Sequence, residues 1–565
     1  MKRLGAATPW WAWLAGLVLS GGLVARYGTP APFWDEWSLF PQIVREAPVT
    51  ARWLLTPVVE HQMPLTKLVL LGVVRAAGLD FRAGMLLSTA LLAAIAGLLI
   101  ATCRRLRGEA SASDAFLPLC LLSTGQYENL LWSFQLQFVL PVFLFGLVLA
   151  GVALGFAASP RGRAGLLLAL GPLPFTDPAG AILAAPVCAW LVLHRRHGVR
   201  AGERVLAALA LFACGLPFVR WSHPALVPPL EAGGAPRTLA ELLGGAFGPS
   251  FHGAWAATAL VVTCVLVWTV RVLMRGGPDG HGLSACLLGA AGLLGAVALA
   301  RGSFGPGAGL ASRYTTLAAP LLIVVYVASL AGGGPRTAHF IPAGLLLAVL
   351  LATPGNLTAA RDAGTARQRA WRAFVADVER GLPLAVVAAR NAKVLFQQDS
   401  RIVPDLLRGL ERNQLAPFRG QSVQLPTQVP ASREERVELE PQVRGAAWIG
   451  NRWRATSSDP SLELRLSPAR FLNGIRLDLE VVPERGHPVW MHFWWAPEPN
   501  QAFTWLERGA TAFFAAPAAV REVHTVWIYD TVARFRFDPH TGRCEFAVRG
   551  VRLLLPADGA AGPQR

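Results

Sequence analysis

The sequence predicts a multi-pass α-helical membrane protein, with about 11 transmembrane helices, that carries an extracytoplasmic antiparallel β-sandwich at its C-terminus. Three observations predict this fold. Of the 565 residues, 53% are hydrophobic and only 15% are charged, whereas a soluble domain carries about 25% charged residues. Residues 1–356 contain repeated apolar stretches long enough to span a bilayer. Residues 422–565 instead contain short segments that alternate in hydropathy at the period of a β-strand.

The membrane domain is predicted to comprise residues 1–356. Its first apolar stretch carries Trp10, Trp11 and Trp13, which suit the membrane interface. No cleavage site followed by a hydrophilic start is recognisable after it, so we interpret it as a retained helix and not as a signal peptide. Two spans are short. The predicted spans are residues 10–26, 83–103, 113–125, 137–157, 164–176, 179–193, 205–219, 254–273, 282–300, 314–330 and 339–354.

The distribution of basic residues predicts the orientation of these spans. With the N-terminus in the cytoplasm, the cytoplasmic ends hold 14 basic against four acidic residues, a net +10. The outer side of the membrane region then holds 10 basic against nine acidic residues, a net +1. Positive residues are retained on the cytoplasmic side, so the chain after residue 356 is predicted to be extracytoplasmic. No run of five or six basic residues occurs, and a nucleic-acid partner is not expected.

The chain after the membrane domain changes character in two steps. Residues 357–421 form a predicted helical juxtamembrane connector, with apolar residues at helical spacing around Trp371 and Phe374. Residues 422–565 form the predicted sandwich, whose alternating segments are separated by Pro, Gly and Asn. In this domain Trp490, Trp494 and Trp495 put aromatic side chains on both faces of one strand. One face suits the core, and the other suits either a contact with the membrane domain or a carbohydrate platform.

The first outer loop, residues 28–82, is too long to be a simple connector and carries the candidate active site. Asp35 and Glu36 are adjacent carboxylates flanked by Trp34 and Trp37. Charged groups near a membrane are costly unless they are solvated or paired, so they invite a functional interpretation. An interfacial loop anchored by tryptophans, with hydrated acids, explains the same pattern. Further along the loop lies a second polar group: Glu60, His61 and Gln62.

Two more polar segments lie at predicted outer ends of spans. The first holds Gln126, Glu128, Asn129 and Trp132, a mixture of amides and aromatic rings that suits sugar recognition. A capped helix end would have the same composition. The second is Arg313 followed by Tyr314 at the start of a helix, where a guanidinium could hold a phosphate or anchor at the headgroup level. Asp177, before Pro178, is interpreted as a helix cap, with a catalytic acid as the alternative.

These segments resemble uncharacterised bacterial members of the GT-C superfamily of membrane glycosyltransferases. The resemblance rests on Trp34-Asp-Glu-Trp37, Glu60-His-Gln62, Gly125-Gln-Tyr-Glu-Asn129 with the residues up to Gln135, and Ser312-Arg-Tyr314, and it covers about residues 1–330. It implies a polyprenyl-phosphate-linked sugar donor, a glycan, lipid or protein acceptor, and transfer on the outer face of a bacterial inner (plasma) membrane. It also implies an acidic residue of the first outer loop at the active site.

The chemistry of glycosyl transfer assigns roles within that resemblance. A base must take the acceptor proton while the donor carbon gains oxocarbenium character. Asp35 is the first candidate for this base and Glu36 the second. Arg313, beside Tyr314, is the candidate for the donor phosphate. Glu60 and His61 could bind the acceptor, position the base or hold a divalent ion; no cofactor is otherwise expected, and a divalent metal stays open.

Other functions remain alternatives at this point. A polymerase or ligase of lipid-linked glycans usually needs a large late outer loop, whereas loop 220–252 is modest and contains few basic groups, among them Arg220, His223 and Arg237. A flippase or transporter of lipid-linked sugars predicts charges deep inside the spans, whereas the charges cluster at span ends. The segment Arg534-Phe-Arg-Phe-Asp-Pro539 also resembles the closing strands of carbohydrate-binding-like sandwiches.

Overall fold

The structure of the protein is a computed structural model. It describes residues 2–557 except 59, 194–199, 219–231, 276, 333–336, 398, 421–423, 430, 438–441, 457–459, 484–488, 502, 504–508, 515–518 and 540–543. Arg220 and His223 lie outside the described residues. The described chain divides into two compact units. Residues 2–29, 47–218 and 232–365 form the first unit, and residues 30–46 and 366–557 form the second.

The N-terminal two thirds of the chain is helical. The α-helices, in chain order, are α1 (Lys2–Tyr27), α2 (Phe40–Ile43), α3 (Ala51–Leu55), α4 (Pro64–Ala76), α5 (Arg82–Arg107), α6 (Phe116–Leu121), α7 (Tyr127–Leu131), α8 (Leu136–Ala153), α9 (Pro160–Leu170), α10 (Pro178–Leu193), α11 (Ala201–Ala213), α12 (Ala235–Gly244), α13 (Trp255–Arg275), α14 (Gly277–Arg301), α15 (Tyr314–Gly332), α16 (Thr337–Glu379), α17 (Leu384–Asn391) and α18 (Val403–Arg412).

Eight helical stretches of the described chain are long and apolar enough to cross a membrane, which makes this a multi-pass membrane protein. They are Ala7–Tyr27, Arg82–Arg107, Ser133–Ala153, Ala201–Phe218, Pro249–Arg275, Gly280–Phe304, Tyr314–Gly332 and Ala338–Glu379. Pro178–Leu193 is apolar but shorter. The predicted short spans, 113–125 and 164–176, are divided among shorter helical pieces. The total of eleven spans therefore stays a prediction.

Helix α15 lies at the centre of the first unit, since every residue from Tyr314 to Ser329 is buried. Helices α5 and α8 pack closely because Gly146 has no side chain: a Cβ there would lie 2.3 Å from Cγ1 of Ile95. Towards its C-terminal end α15 is tied to the chain that follows α5. The Tyr326 hydroxyl donates to Asp114 over 2.7 Å, and Arg107 makes a bidentate ion pair with the same carboxylate.

The second unit is built on an antiparallel sheet of nine strands. The strands are β1 (Ser432–Val437), β2 (Gln442–Arg444), β3 (Ala446–Ile449), β4 (Arg452–Ala455), β5 (Ser461–Pro483), β6 (Val489–Ala496), β7 (Gly509–Phe514), β8 (Val520–Pro539) and β9 (Cys544–Pro556). The main order is β3-β4-β9-β5-β8-β6-β7, with β1 on β9 and β2 on β5. The sheet is curled, and all the described strands belong to it.

Alternation along the strands decides which face of this sheet is buried. In β5, Ile475, Leu477, Leu479 and Val481 are buried in the core, whereas the residues between them point away from it. Helix α17 joins the core through Ala389. The predicted antiparallel C-terminal domain is confirmed; its closure as a two-sheet sandwich stays a prediction.

Candidate functional site

The acidic pair Asp35–Glu36 lies in the second unit, in a short 3₁₀ helix spanning Trp34–Ser38. Glu36 is completely buried, and its Oε2 accepts a hydrogen bond of 2.8 Å from the backbone N–H of Phe33. This carboxylate therefore closes the N-terminus of its own helix, as in a capping box. Asp35 is only partly buried. Of the two adjacent acids, Asp35 has the more accessible side chain.

The tryptophans that flank this pair bind the backbone of the second unit. The indole N–H of Trp34 donates to the carbonyl of Val394 over 2.9 Å, and that of Trp37 donates to Leu395 over 3.3 Å. Trp37 also stacks on Phe396, with ring centroids 4.5 Å apart. Trp34 adopts a left-handed backbone conformation, with φ of 51°. Such strain in a non-glycine residue costs of order 1–3 kcal/mol and clusters at functional sites.

Glu60 and His61 lie in the first unit and belong to a chain of ionised groups. His61 Nδ1 lies 2.9 Å from Oδ1 of Asp177, and Nε2 lies 3.3 Å from Oε1 of Glu60. Burial lowers the pKa of His61, but the two carboxylates outweigh burial and raise it to about 10. Burial likewise raises the pKa of Glu60, but His61 and Arg301 outweigh it and hold this pKa well below its usual range. His61 is therefore an imidazolium between two carboxylates.

Arg301 extends this chain from the end of α14 to the start of α15. One of its nitrogens, Nη2, pairs with Oε1 of Glu60, and Nε donates to the hydroxyl of Tyr314 over 2.9 Å. The aromatic ring of Tyr314 is also contacted by Arg313, whose guanidinium carbon lies 5.2 Å from the ring centroid. Tyr314 is buried, whereas both arginines are partly exposed. Two guanidiniums thus meet at one phenol.

Arg313 has its own carboxylate partner, Glu128. Arg313 Nη1 lies 3.1 Å from Glu128 Oε1, and the backbone N–H of Arg313 donates to Oε2 over 3.0 Å. The hydroxyl of Ser312 donates to Oε2 as well, over 2.8 Å. These contacts hold α7 against the start of α15. We call the set Glu60, His61, Asp177, Arg301, Tyr314, Arg313 and Glu128 the charged cluster.

Four other predicted site residues are buried and bonded within the protein. The Asn129 amide donates to the carbonyl of Arg313 over 2.8 Å, and the Gln126 amide donates to that of Leu121. The Gln62 amide donates to the carbonyl of Leu55 over 2.8 Å. Trp132 stacks on Phe134 and is 5% exposed. These contacts fix the backbone around the charged cluster; direct contact of the four side chains with a substrate stays a prediction.

Sequence reasoning missed Asp177 and Arg301 as members of the cluster. Asp177 does cap α10, since its Oδ2 accepts from the backbone N–H of Ala179 over 3.3 Å, but its other oxygen binds His61. Those two residues are 116 positions apart in the sequence. Arg301 was recognisable only as a basic residue at a span end. A cation at the end of a predicted span, with acids at other span ends, is the one signal that could have drawn attention to it.

Lys67 and Glu241 fix the backbone on either side of the cluster. The ammonium of Lys67 donates to the carbonyls of Trp53, Leu54 and Thr56, and burial lowers its pKa to about 8. The glycine-rich loop between Arg301 and Arg313 is held by Glu241, which is buried. Its carboxylate accepts from the backbone N–H groups of residues 307 and 309 over 2.9 and 3.1 Å, and it pairs with Arg237.

The cluster places three cationic side chains beside three carboxylates. Within the described ranges, no three His, Cys, Asp or Glu side chains form a group that could hold a metal ion. A protonated imidazole must first lose its proton to act as a ligand. His61, Arg301 and Arg313 supply three cations, balanced by the carboxylates of Glu60, Glu128 and Asp177. An anionic ligand could displace one of these carboxylates and take its place as the partner of a guanidinium.

Comparison with known proteins finds no matching family model and no matching curated protein.

Proposed function

We propose that the chain is an integral-membrane glycosyltransferase that moves a sugar from a polyprenyl-phosphate donor to an extracytoplasmic glycan, lipid or protein acceptor. One observation carries the proposal: Arg301 and Arg313 meet at Tyr314 at the end of a membrane helix, beside the imidazolium of His61. A donor with a phosphate at the membrane surface needs such cations to bind it.

The charged cluster would bind the donor phosphate with the two guanidiniums. Arginine matches phosphate oxygens with paired N–H donors, and such charge-assisted bonds are stronger than neutral ones. Glu60 and Glu128 hold the guanidiniums in place and keep them charge-balanced until the donor arrives. Because His61 and Arg301 lower its pKa so far, Glu60 is a poor proton acceptor, and we assign it to positioning.

We assign the role of base to Asp35, and two features of its segment support this assignment. Its neighbour Glu36 is used by the helix cap, and the backbone is strained at Trp34, immediately before it. In the reaction, the carboxylate of Asp35 takes the acceptor hydroxyl proton as the acceptor oxygen bonds to the anomeric carbon. The bond from that carbon to the phosphate oxygen breaks, and the electron pair leaves on the polyprenyl phosphate.

The charge distribution of the sequence supports the proposed setting. The net +10 at one set of span ends and +1 at the other favour a cytoplasmic N-terminus. With the eleven predicted spans, an odd number, the second unit would then be extracytoplasmic, and the membrane would be the inner (plasma) membrane of a bacterium. The helix count and the GT-C fold are part of this proposal.

The proposal is tested with the full chain in proteoliposomes that contain a radiolabelled polyprenyl-phosphate hexose or pentose. A bacterial envelope extract serves as the acceptor mixture, and label in the glycan fraction is counted. Replacing Asp35 with Asn is expected to reduce transfer by at least about 100-fold, since a general base contributes roughly 10²–10⁴-fold. Arg313→Gln is expected to raise KM for the donor. Asp80→Asn, which removes a carboxylate paired with the half-exposed Arg82, is the matched control. Full transfer by the Asp35 variant would contradict the assigned base.

A flippase of lipid-linked sugars is the second candidate. It is less well supported, because the ion pairs Arg107–Asp114 and Arg301–Glu60 lie at helix ends and not deep inside the spans. The same proteoliposomes separate the two functions. A flippase moves labelled donor to the inner leaflet without forming a new glycosidic bond, whereas a transferase releases polyprenyl phosphate and places the label in the acceptor.

A further inference from the structure

The face of the β-sheet that points away from the core carries a continuous array of charged residues. In β5, Arg476, Asp478 and Glu480 alternate with core residues, so they share this outer face. Register places Arg552 of β9 beside Arg476, and Arg521 of β8 beside Glu480. We call this array the charged face; its members among the described residues are Glu434, Arg436, Arg452, Arg454, Arg476, Asp478, Glu480, Arg521, Glu545, Arg549 and Arg552.

The members of the charged face are linked by ion pairs that cross from strand to strand. Glu434 pairs with both Arg476 and Arg552, the latter at 2.8 Å. Glu480 pairs with Arg452 and with Arg549, the latter at 2.8 Å. Each of these carboxylates is therefore shared between two guanidiniums. The array extends over five strands, β1, β4, β9, β5 and β8, and is not a set of isolated surface charges.

The charged face carries more positive than negative charge and is accessible. Seven arginines against four carboxylates leave a net +3. The most accessible arginine side chains are those of Arg521 and Arg552, which are 63% and 58% exposed. A guanidinium has five N–H donors, and a carboxylate pair uses two of them. The face can thus bind further acceptors without breaking its ion pairs.

We propose that the charged face binds an anionic polysaccharide, a chain of sugars that carry carboxylate groups. Arginine N–H groups pair with sugar carboxylates, and the interleaved Asp and Glu side chains accept hydrogen bonds from sugar hydroxyls. A polymer that offers phosphates alone would gain nothing from the four carboxylates and would be repelled by them. This binding is independent of the proposed transferase reaction.

A membrane surface fits this face less well. Binding to a lipid interface depends on buried apolar area as well as on basic residues. Among the described residues on the outer side of these strands, Val523 and Ile449 are the exposed large apolar side chains. Two of the three tryptophans of β6 do not supply a stacking surface, because Trp494 and Trp495 are both 7% exposed and Trp494 lies beneath Lys393. The third, Trp490, is partly buried and packs against Phe513, with ring centroids 4.8 Å apart.

The proposal is tested by direct binding to the full chain in detergent. The probe is a fluorescently labelled oligogalacturonate, with dextran as the neutral control and polyphosphate as the carboxylate-free control. We expect oligogalacturonate binding that weakens as salt is raised and no dextran binding. The double variant Arg476→Gln/Arg552→Gln should weaken binding at least about 10-fold, the equivalent of one charge-assisted hydrogen bond.

A matched variant, Arg412→Gln/Arg465→Gln, removes two cations of similar exposure outside the charged face and should leave binding within about 2-fold. Exposed ion pairs contribute about 0–1 kcal/mol each, so both variants should fold, which their melting curves will check. Equal weakening by the two double variants, tighter binding of polyphosphate than of oligogalacturonate, or no binding at low salt would overturn the proposal.

Discussion

The two polar pairs of the first loop, Asp35–Glu36 and Glu60–His61, lie in the same predicted outer loop but make different kinds of contact. Glu36 bonds to the backbone three residues before it and is completely buried. Glu60 and His61 instead bond to Arg301 and Asp177, which are 241 and 116 positions away in the sequence. Glu36 combines this local hydrogen bond with an electrostatic interaction with the buried Arg367, whereas Glu60 joins distant helices through a direct ion pair.

This difference predicts how strongly stability should respond to pH and to mutation at each carboxylate. The response should be larger where the partners of the carboxylate are charged groups from distant helices. A helix cap stabilises the folded protein through one short-range hydrogen bond. A buried chain of ion pairs leaves uncompensated charges when one member is removed, because each member balances two neighbours. The consequences can be measured on the full chain in detergent, through the free energy of unfolding or the melting temperature.

Asp177→Asn should have the largest effect on stability. It leaves His61 with one carboxylate partner, and the single oxygen of Asn can no longer both bind His61 and accept from the backbone N–H of Ala179. Breaking a buried ion pair costs roughly 3–5 kcal/mol. Thermal unfolding followed by tryptophan fluorescence measures the loss. The double variant Asp177→Asn/His61→Gln should lose less than the sum of the single variants, since the two groups interact; strict additivity would show that the pair is not coupled.

The pH dependence of stability should be the next largest effect. The pKa of His61 is raised in the folded state from its ordinary value to about 10. Its contribution is therefore complete below about pH 6.5 and is lost as the pH rises through about 10, by up to about 3 kcal/mol between pH 6.5 and 9. The lowered pKa of Glu60 acts in the other direction: its contribution is present above about pH 4.5 and is lost as the pH falls below that.

The His61 contribution is isolated by subtracting the pH profile of the His61→Gln variant from that of the unaltered protein. This subtraction is needed because the lowered pKa of Lys67, about 8, makes stability rise with pH above that value. A difference profile that stays flat between pH 6.5 and 9 would contradict an imidazolium at residue 61.

Lys67→Met should cost about 1–3 kcal/mol, because three backbone carbonyls lose the donor that they share. This substitution tests whether the segment before Glu60 is held by hydrogen bonds to backbone carbonyls and not by ion pairs. Arg52→Gln removes an exposed cation from the same segment and should stay within about 0.5 kcal/mol. Equal losses in the two variants would show that the carbonyl contacts of Lys67 contribute little.

Glu36→Ala removes a helix cap, worth about 0.5–2 kcal/mol, and also the negative charge that interacts with the buried Arg367, so it should cost more than the cap alone. Glu36→Gln keeps an oxygen acceptor for the Phe33 N–H, so it should be closer to the unaltered protein. Chemical denaturation compares the two. If Glu36→Gln costs as much as Glu36→Ala, the charge of Glu36 and not its hydrogen bond stabilises this segment.

The sequence was sufficient for the coarse fold because that fold depends on local composition. Apolar stretches such as Tyr314–Gly332 are long enough to predict membrane helices, and the alternation around Ile475 and Leu477 predicts strands. Short helical pieces such as Phe116–Leu121 were harder, because a run of a few apolar residues fits a short helix as well as part of a span.

The candidate site was predictable only in part. Glu60, His61, Glu128 and Arg313 were identified from residue type and position, but their pairing was not. The link from His61 to Asp177 depends on how distant helices pack, and nothing in the local sequence encodes it. The cap formed by Glu36 depends on a residue only three positions away, Phe33, and was therefore predictable. It was overlooked because Asp35 and Glu36 were interpreted together as a catalytic pair.

The tether between Glu241 and the loop from Arg301 to Arg313 has a consequence for the entropy of ligand binding. Two backbone N–H groups of that loop already hold a carboxylate supplied by the protein itself. The loop is therefore ordered when the chain folds, and a ligand that bridges both guanidiniums does not have to order it. Since fixing one residue's backbone costs roughly 1–2 kcal/mol, this preorganisation leaves more of the contact energy for affinity.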